Sequence, residues 1–360
     1  MAPLGARLLD LDLSGSLELT EVGLAAITSA HTRLSRLSLW NCLRVGPAGL
    51  AASLPRLGGR LRHLSLRGLQ QLDDDTLEAV LAGLPGLTGL DLRACERLTG
   101  TGLAGAGGGA GTGVPARRPA LTSLSLRGCY RVRGPESAAA IASLGPTLRD
   151  LSLRDNWQWS AQDLGAALGG LAGLTCLDLS GLRNVSPAPA GGGGLPGLAV
   201  LAPSLITLRL AGMEGLRNGA LSPLAGAAAG GGGPPHLHPH PLTSIDLTGC
   251  NGLDGAGLAP LGSGCPALAT VRMAHCQGIK TRDDLGALGG MARLASLDLT
   301  DCASFESWGG VGALGGCASL RTLSLEGCRS AVGIDAGLVG LVKVRAGGRA
   351  WGRGAWVERV

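Results

Sequence analysis

The chain has 360 residues, with 63 glycines and 19 prolines against six Trp, one Tyr and one Phe. So few aromatics exclude a core of the usual aromatic-rich kind and leave Leu, Val and Ala to build it in small, regular layers. The net charge of +5 concentrates after residue 342, where Lys343, Arg345, Arg349, Arg353 and Arg359 face only Glu358, so the body has no broad field to draw in nucleic acid.

The chain opens Met1-Ala2-Pro3-Leu4-Gly5-Ala6-Arg7, with no basic stretch leading into an apolar one, so no signal peptide is expected. No uninterrupted apolar run reaches the roughly eighteen residues of a membrane span.

From residue 8 one pattern recurs, L-x-x-L-x-L-x-x-(C/N/other). It starts at Leu8, Leu34, Leu61, Leu87, Leu121, Leu148, Leu174, Leu205, Leu242, Leu268, Leu294 and Leu320, twelve copies in all. Most starts are 26 or 27 residues apart, and three steps stretch to 34, 31 and 37. The alternating L-x-L predicts a short strand. An apolar residue three places after the Cys position and a second group with helical spacing, as in Leu77/Val80/Leu81, predict a turn and a helix. Such a unit cannot bury its apolar face alone, so neighbouring copies must stack. The predicted fold is α/β, a right-handed leucine-rich-repeat solenoid or horseshoe over residues 1–342, with a parallel concave sheet and helices on the convex side.

The three long steps hold Gly/Pro-rich insertions near 100–119, 187–203 and 222–241, expected to loop out without ordering themselves. Residues 343–360 leave the pattern and are expected to be a basic, disordered tail. The array begins without the polar cap that a solenoid end needs.

Cys42, Cys95, Cys129, Cys250, Cys276, Cys302 and Cys328 share one repeat position, where Ser16, Asn156, Leu69, Leu182 and Met213 substitute. That points to buried packing by small side chains with a weak donor. No C-x₂₋₄-C pair exists for a metal site, and unpaired thiols suit a reducing compartment, cytosol or nucleus. His236, His238 and His240 alternate in an insertion without neighbouring Cys or carboxylate, so no metal is expected there. The Gly-rich stretch 105–113 lacks the Gly-Lys-Ser/Thr of a phosphate loop, and neither H-E-x-x-H nor G-x-S-x-G occurs. No catalysis, cofactor or metal is expected.

The surface beside the strand leucines carries the functional signal. The place after the third leucine reads Trp40, Arg67, Arg93, Arg127 and Arg154 in successive copies, a stripe of four arginines below a tryptophan. Two places earlier than that row, just before the third leucine of its copy, stands Arg209. Stacked cations repel unless an anion neutralises them. The expected partner-binding residues are therefore Trp40, Arg67, Arg93, Arg127, Arg154 and Arg209, taking an acidic or phosphorylated segment of a protein on the concave face. The competing reading is a solvated polar face paired locally through Asp91 and Asp150. Tyr130 and Trp157 are candidate anchors, whereas Trp159 and Phe305 sit at core places.

Cys42-Leu43-Arg44-Val45-Gly46-Pro47-Ala48-Gly49-Leu50, Cys250-Asn251-Gly252-Leu253-Asp254-Gly255-Ala256-Gly257-Leu258 and Gly264-Cys265-Pro266-Ala267-Leu268 resemble the cysteine-containing repeats of F-box/LRR proteins, over roughly residues 8 to 340. The resemblance implies the substrate-recognition subunit of an SCF-type ubiquitin ligase, docking on the ligase core through an F-box that the residues before 8 do not supply. The alternative is a repeat scaffold or regulator unrelated to ubiquitin, such as a cytoskeletal or ciliary-axoneme protein.

Overall fold

Each L-x-L forms a three-residue strand. In the computed structural model the chain divides into two units, Met1–Leu174 and Thr175–Val360, and the described residues are 8–104, 119–185, 195–225, 240–280, 282–302, 308–328 and 356–358. In the first unit β1 (Asp10–Asp12), β2 (Arg36–Ser38), β3 (His63–Ser65), β4 (Gly89–Asp91), β5 (Ser123–Ser125) and β6 (Asp150–Ser152) pair in parallel and in chain order. In the second, β7 (Cys176–Asp178), β8 (Thr207–Arg209), β9 (Ser244–Asp246), β10 (Thr270–Arg272), β11 (Ser296–Asp298) and β12 (Thr322–Ser324) do the same. The register is set by the leucines: Leu90 lies opposite Leu124, and Leu124 opposite Leu151. These three are 3%, 1% and 0% exposed. Burying each such side chain contributes about 1.5–3 kcal/mol, and a one-residue slip would turn the whole set to solvent.

Behind the strands of the first unit lie α1 (Glu21–Ala30), α2 (Pro47–Ser53), α3 (Asp74–Gly83), α4 (Gly134–Ala142) and α5 (Ala161–Gly169). α1 packs on α2, α2 on α3, and α4 on α5. Side-chain caps start three of them: Thr20, Asp73 and Ser160 accept the backbone N–H three residues on, which satisfies donors the helix leaves open. The second unit has α6 (Leu198–Leu201) and α7 (Gly255–Gly264). The fold is thus the expected leucine-rich-repeat solenoid.

The helical half of the repeat departs from expectation in several copies. Thr101–Leu103, Ser222–Leu224, Arg282–Leu288 and Trp308–Gly316 form 3-10 turns. Three of these four segments contain glycine, which costs about 1 kcal/mol per residue in a helix interior. The margins of the expected insertions are also built into the fold. Leu198 and Leu201 of α6 are fully buried, and His240 is 4% exposed. The His240 backbone N–H donates to the Gly264 carbonyl at 3.1 Å, and its Nδ1 lies 3.2 Å from the Ala202 carbonyl. That corrects its reading as part of a loose His tract; His236 and His238 lie outside the described residues. From the expected tail, β13 (Trp356–Glu358) pairs antiparallel with β12.

The cysteine row is a hydrogen-bonded ladder. Cys42, Cys95, Cys129, Cys250, Cys276, Cys302 and Cys328 each donate Sγ–H to the strand-end carbonyl of the preceding repeat at 3.0–3.2 Å. Asn156 does the same through Nδ2 to Leu126 at 2.8 Å, which explains why Asn can replace Cys here. A second pair of thiols lies on the return side: Cys265, from the quoted motif, and Cys317, which the sequence reading did not name, point at the carbonyls of Leu224 and Leu288.

Burial pushes the thiols of Cys95, Cys129, Cys265 and Cys302 up to about 12, and that of Cys276 to about 11. They remain neutral thiols at physiological pH, poor nucleophiles and poor metal ligands. None of the ten cysteines is in a disulfide, and Cys176 and Cys328 are the two not fully buried. A thiol reagent at pH 8 should therefore modify at most these two in the native chain, and all ten after denaturation. Rapid native labelling of Cys95 or Cys129 would contradict the ladder. The same shifts fix a pH dependence. Unfolded thiols lose protons near 9.0 while the folded ones hold theirs to about 12, so stability falls as pH rises across that window.

Candidate functional site

The edge of the sheet is made by a repeated turn. After the third leucine of each repeat comes one outward side chain, then a residue in the left-handed region. Gly68 (φ 72), Ala94 (φ 56), Gly128 (φ 69) and Asp155 (φ 63) occupy that place beside the arginines. The backbone N–H of this residue bonds to the carbonyl one layer on: Asn41 to Arg67, Gly68 to Arg93, Ala94 to Arg127 and Gly128 to Arg154, at 2.8–3.0 Å. The arginine backbones are therefore fixed layer by layer. In the sequence this row reads mostly Gly, Asn and Asp, residues that tolerate positive φ, a signal the leucine pattern overshadowed.

Arg67, Arg93, Arg127 and Arg154 lie in these turns, two residues beyond the strand ends, along the rim of the sheet, and Arg93 also lines a hollow on the open face. Trp40 heads the row, and the Arg67 guanidinium carbon stands 4.5 Å above its ring, a cation–π stack. Gly68 suits this turn through its φ of 72, while a Cβ there would only touch the indole in ordinary contact at 3.6 Å.

Arg93 grips both oxygens of Asp91, Nε at 2.9 Å and Nη2 at 2.7 Å. This bond raises the Arg93 pKa further above its ordinary value. Asp155 stands between the next two, 2.9 Å from Arg127 Nε and 3.4 Å from Arg154 Nε. Asp155 is thus a neutralising carboxylate that the sequence reading, which named Asp91 and Asp150, did not include. Three of the four arginines have an acid beside them, and Arg67 has only a ring. Among the described residues no carboxylate lies within ion-pair distance of it.

Arg67, Arg93, Arg127, Glu96, Tyr130 and Asp155 surround a hollow of about 270 Å³ in this rim. Of the exposed aromatics that the sequence named, Tyr130 lines this hollow, and Trp40, Tyr130 and Trp157 are 43%, 44% and 47% exposed. Tyr130 and Trp157 follow Cys129 and Asn156, the same place in consecutive repeats. On the open face of the first unit a second hollow is lined by Asp10, Arg36, His63, Gly89 and Ser123, with Arg36 paired to Asp10 at 2.7 Å. Arg209 is not part of the rim. It lies on β8 in the second unit, with Nη1 3.8 Å from Cys176 Sγ. Trp159 is fully buried, as expected, and Phe305 lies outside the described residues. Among the described residues no group of three or more His, Cys, Asp or Glu could hold a metal ion, and no helix is long and apolar enough to cross a membrane.

No protein-family model matches the chain. A relative, antagonist of mitotic exit network protein 1 of Eremothecium gossypii, is 46% identical over 71 residues, 20% of this chain and 17% of the relative. Among solved structures, the TLR13–ssRNA13 complex matches with a TM-score of 0.60 and 19% identity, covering 89% of this chain and 39% of that one. The leucine-rich-repeat protein LegL7 of Legionella pneumophila matches with a TM-score of 0.45 and 20% identity, over 74% of this chain and 83% of that one. The chain spans well under half the length of the first two. The structural likeness is one of fold.

Proposed function

We propose that the chain is a leucine-rich-repeat binding module whose first unit takes an acidic segment of a partner protein along its turn rim, with one carboxylate of that segment seated on Arg67. The carrying observation is the uneven neutralisation of the stripe. Asp91 and Asp155 occupy three arginines, while the Arg67 guanidinium sits over the Trp40 ring with no carboxylate within ion-pair distance among the described residues. An arginine stacked on an aromatic ring and already fixed in place loses little entropy on meeting a carboxylate. Trp40, Tyr130 and Trp157 supply apolar contact around the charge, the residue types that dominate binding energy at interfaces. Arg93, Arg127 and Arg154 keep the rim positive and repel basic partners.

The adaptor or scaffold reading is the one these residues support. The ubiquitin-ligase reading rests on the repeat subtype and brings no residue of this chain to the contact. Ten cysteines with no disulfide among them fit a reducing compartment. Selection of displayed peptides on the native chain tests the proposal. Acid-rich sequences should be enriched, and their binding should weaken as salt rises, because at 1 M salt charges are screened beyond about 3 Å. Enrichment without excess Asp and Glu would contradict it.

A further inference from the structure

The open face of the second unit carries a charge pattern that the rim does not share. The last residues of β7 to β11 there are Asp178, Arg209, Asp246, Arg272 and Asp298, placed side by side by the strand register. Charge alternates over five consecutive strands. Neighbours at about 4.8 Å could neutralise each other, yet among the described residues Arg209 and Arg272 form no ion pair. The aspartates are turned away by their own backbone. Each accepts the N–H two residues on, from Ser180, Thr248 and Thr300, at 3.0 Å. Asp178 is buried and Asp246 and Asp298 are half-buried, while both arginines are exposed. The flanking places, Thr207, Ser244, Thr270 and Ser296, are small and half-buried, so another chain can approach the wall closely.

We propose that this wall binds one face of an α-helix of a partner protein that carries charges of alternating sign. A helix advances about 1.5 Å per residue, so residues at i, i+3 or i+4, and i+7 share a face. They stand about 5 and 10 Å apart, matching one and two strand spacings. An extended strand places same-face residues about 6.8 Å apart, and polyproline II about 9.3 Å; neither meets every rung. Acids over Arg209 and Arg272 with a base over Asp246 satisfy the wall. A polyanion, nucleic acid included, meets repulsion at every second strand, so the pattern excludes as well as attracts.

Two stapled helical peptides of equal composition test this on the full chain by fluorescence anisotropy. One carries Glu, Lys, Glu, Lys at i, i+4, i+7 and i+11; the other carries Glu, Glu, Lys, Lys at the same places. The alternating peptide is expected to bind at least about tenfold more tightly. Arg272→Glu, an exposed change, should abolish that preference. Asp246→Asn, which keeps the acceptor for Thr248, should reduce it. Equal binding of the two peptides, binding by neither, or a preference unchanged in Arg272→Glu would each overturn the proposal. None of these outcomes bears on Arg67, which belongs to the other unit.

Discussion

Trp159→Ala is expected to lower the unfolding free energy by about 3–5 kcal/mol, the usual cost of deleting a buried large aromatic. Trp159 is fully buried and is the largest such side chain among the described residues. In a core otherwise made of leucine-sized pieces no neighbour can spread to fill the space. Close packing makes the loss of contacts nearly complete. The indole also carries a liability, since its Nε1 is buried without a hydrogen-bond partner. An unpaired buried donor costs about 1–3 kcal/mol. Trp159→Phe removes that donor while keeping an aromatic ring, so its net cost should stay within about 1 kcal/mol. Denaturant titration of the three proteins checks both statements. If Trp159→Ala unfolds at the wild-type midpoint, the inward placement of the third apolar residue is wrong.

Arg67→Glu is the second large effect. An arginine at the centre of an interface costs 2 kcal/mol or more when lost, so a selected acidic peptide should bind about 30-fold or more weakly, and charge reversal should add to this. Arg93→Glu should weaken it less. Arg93 already holds Asp91 in a two-bond fork, so its change acts on the peptide mainly through the local potential. The fold should tolerate both, as surface changes stay within about 0.5 kcal/mol, with a further small loss for the broken Asp91 pair. Titration calorimetry with wild type, Arg67→Glu and Arg93→Glu would reverse this ranking if Asp91 did not occupy Arg93.

Most of the fold was legible because the leucines repeat at a fixed interval and a parallel sheet has one residue pair per layer. Leu90, Leu124 and Leu151 share a rung because they share a place in the repeat. The Trp40–Arg67 stack follows from the same rule, as both hold one place in adjacent copies. Asp155 did not follow from it. It belongs to the row after the arginines, and only the left-handed turn swings its carboxylate back towards Arg127 in the layer before. The 3-10 turns were illegible for a different reason. Apolar spacing in 282–288 and 308–316 fits a helix, but the glycines among those residues remove the local preference that would hold one. His240 was misread because composition described the insertion as a whole, while its last residue is anchored by the Gly264 and Ala202 carbonyls.

Amide hydrogen exchange of the chain with and without a selected acidic peptide addresses the proposed dock most directly. Slower exchange is expected in the turns around Gly68, Ala94 and Gly128, whose N–H groups tie the arginine layers together, with the corresponding turns at Gly212 and Gly249 unchanged. Protection appearing at Gly212 and Gly249 while the arginine turns exchange as before would contradict the account.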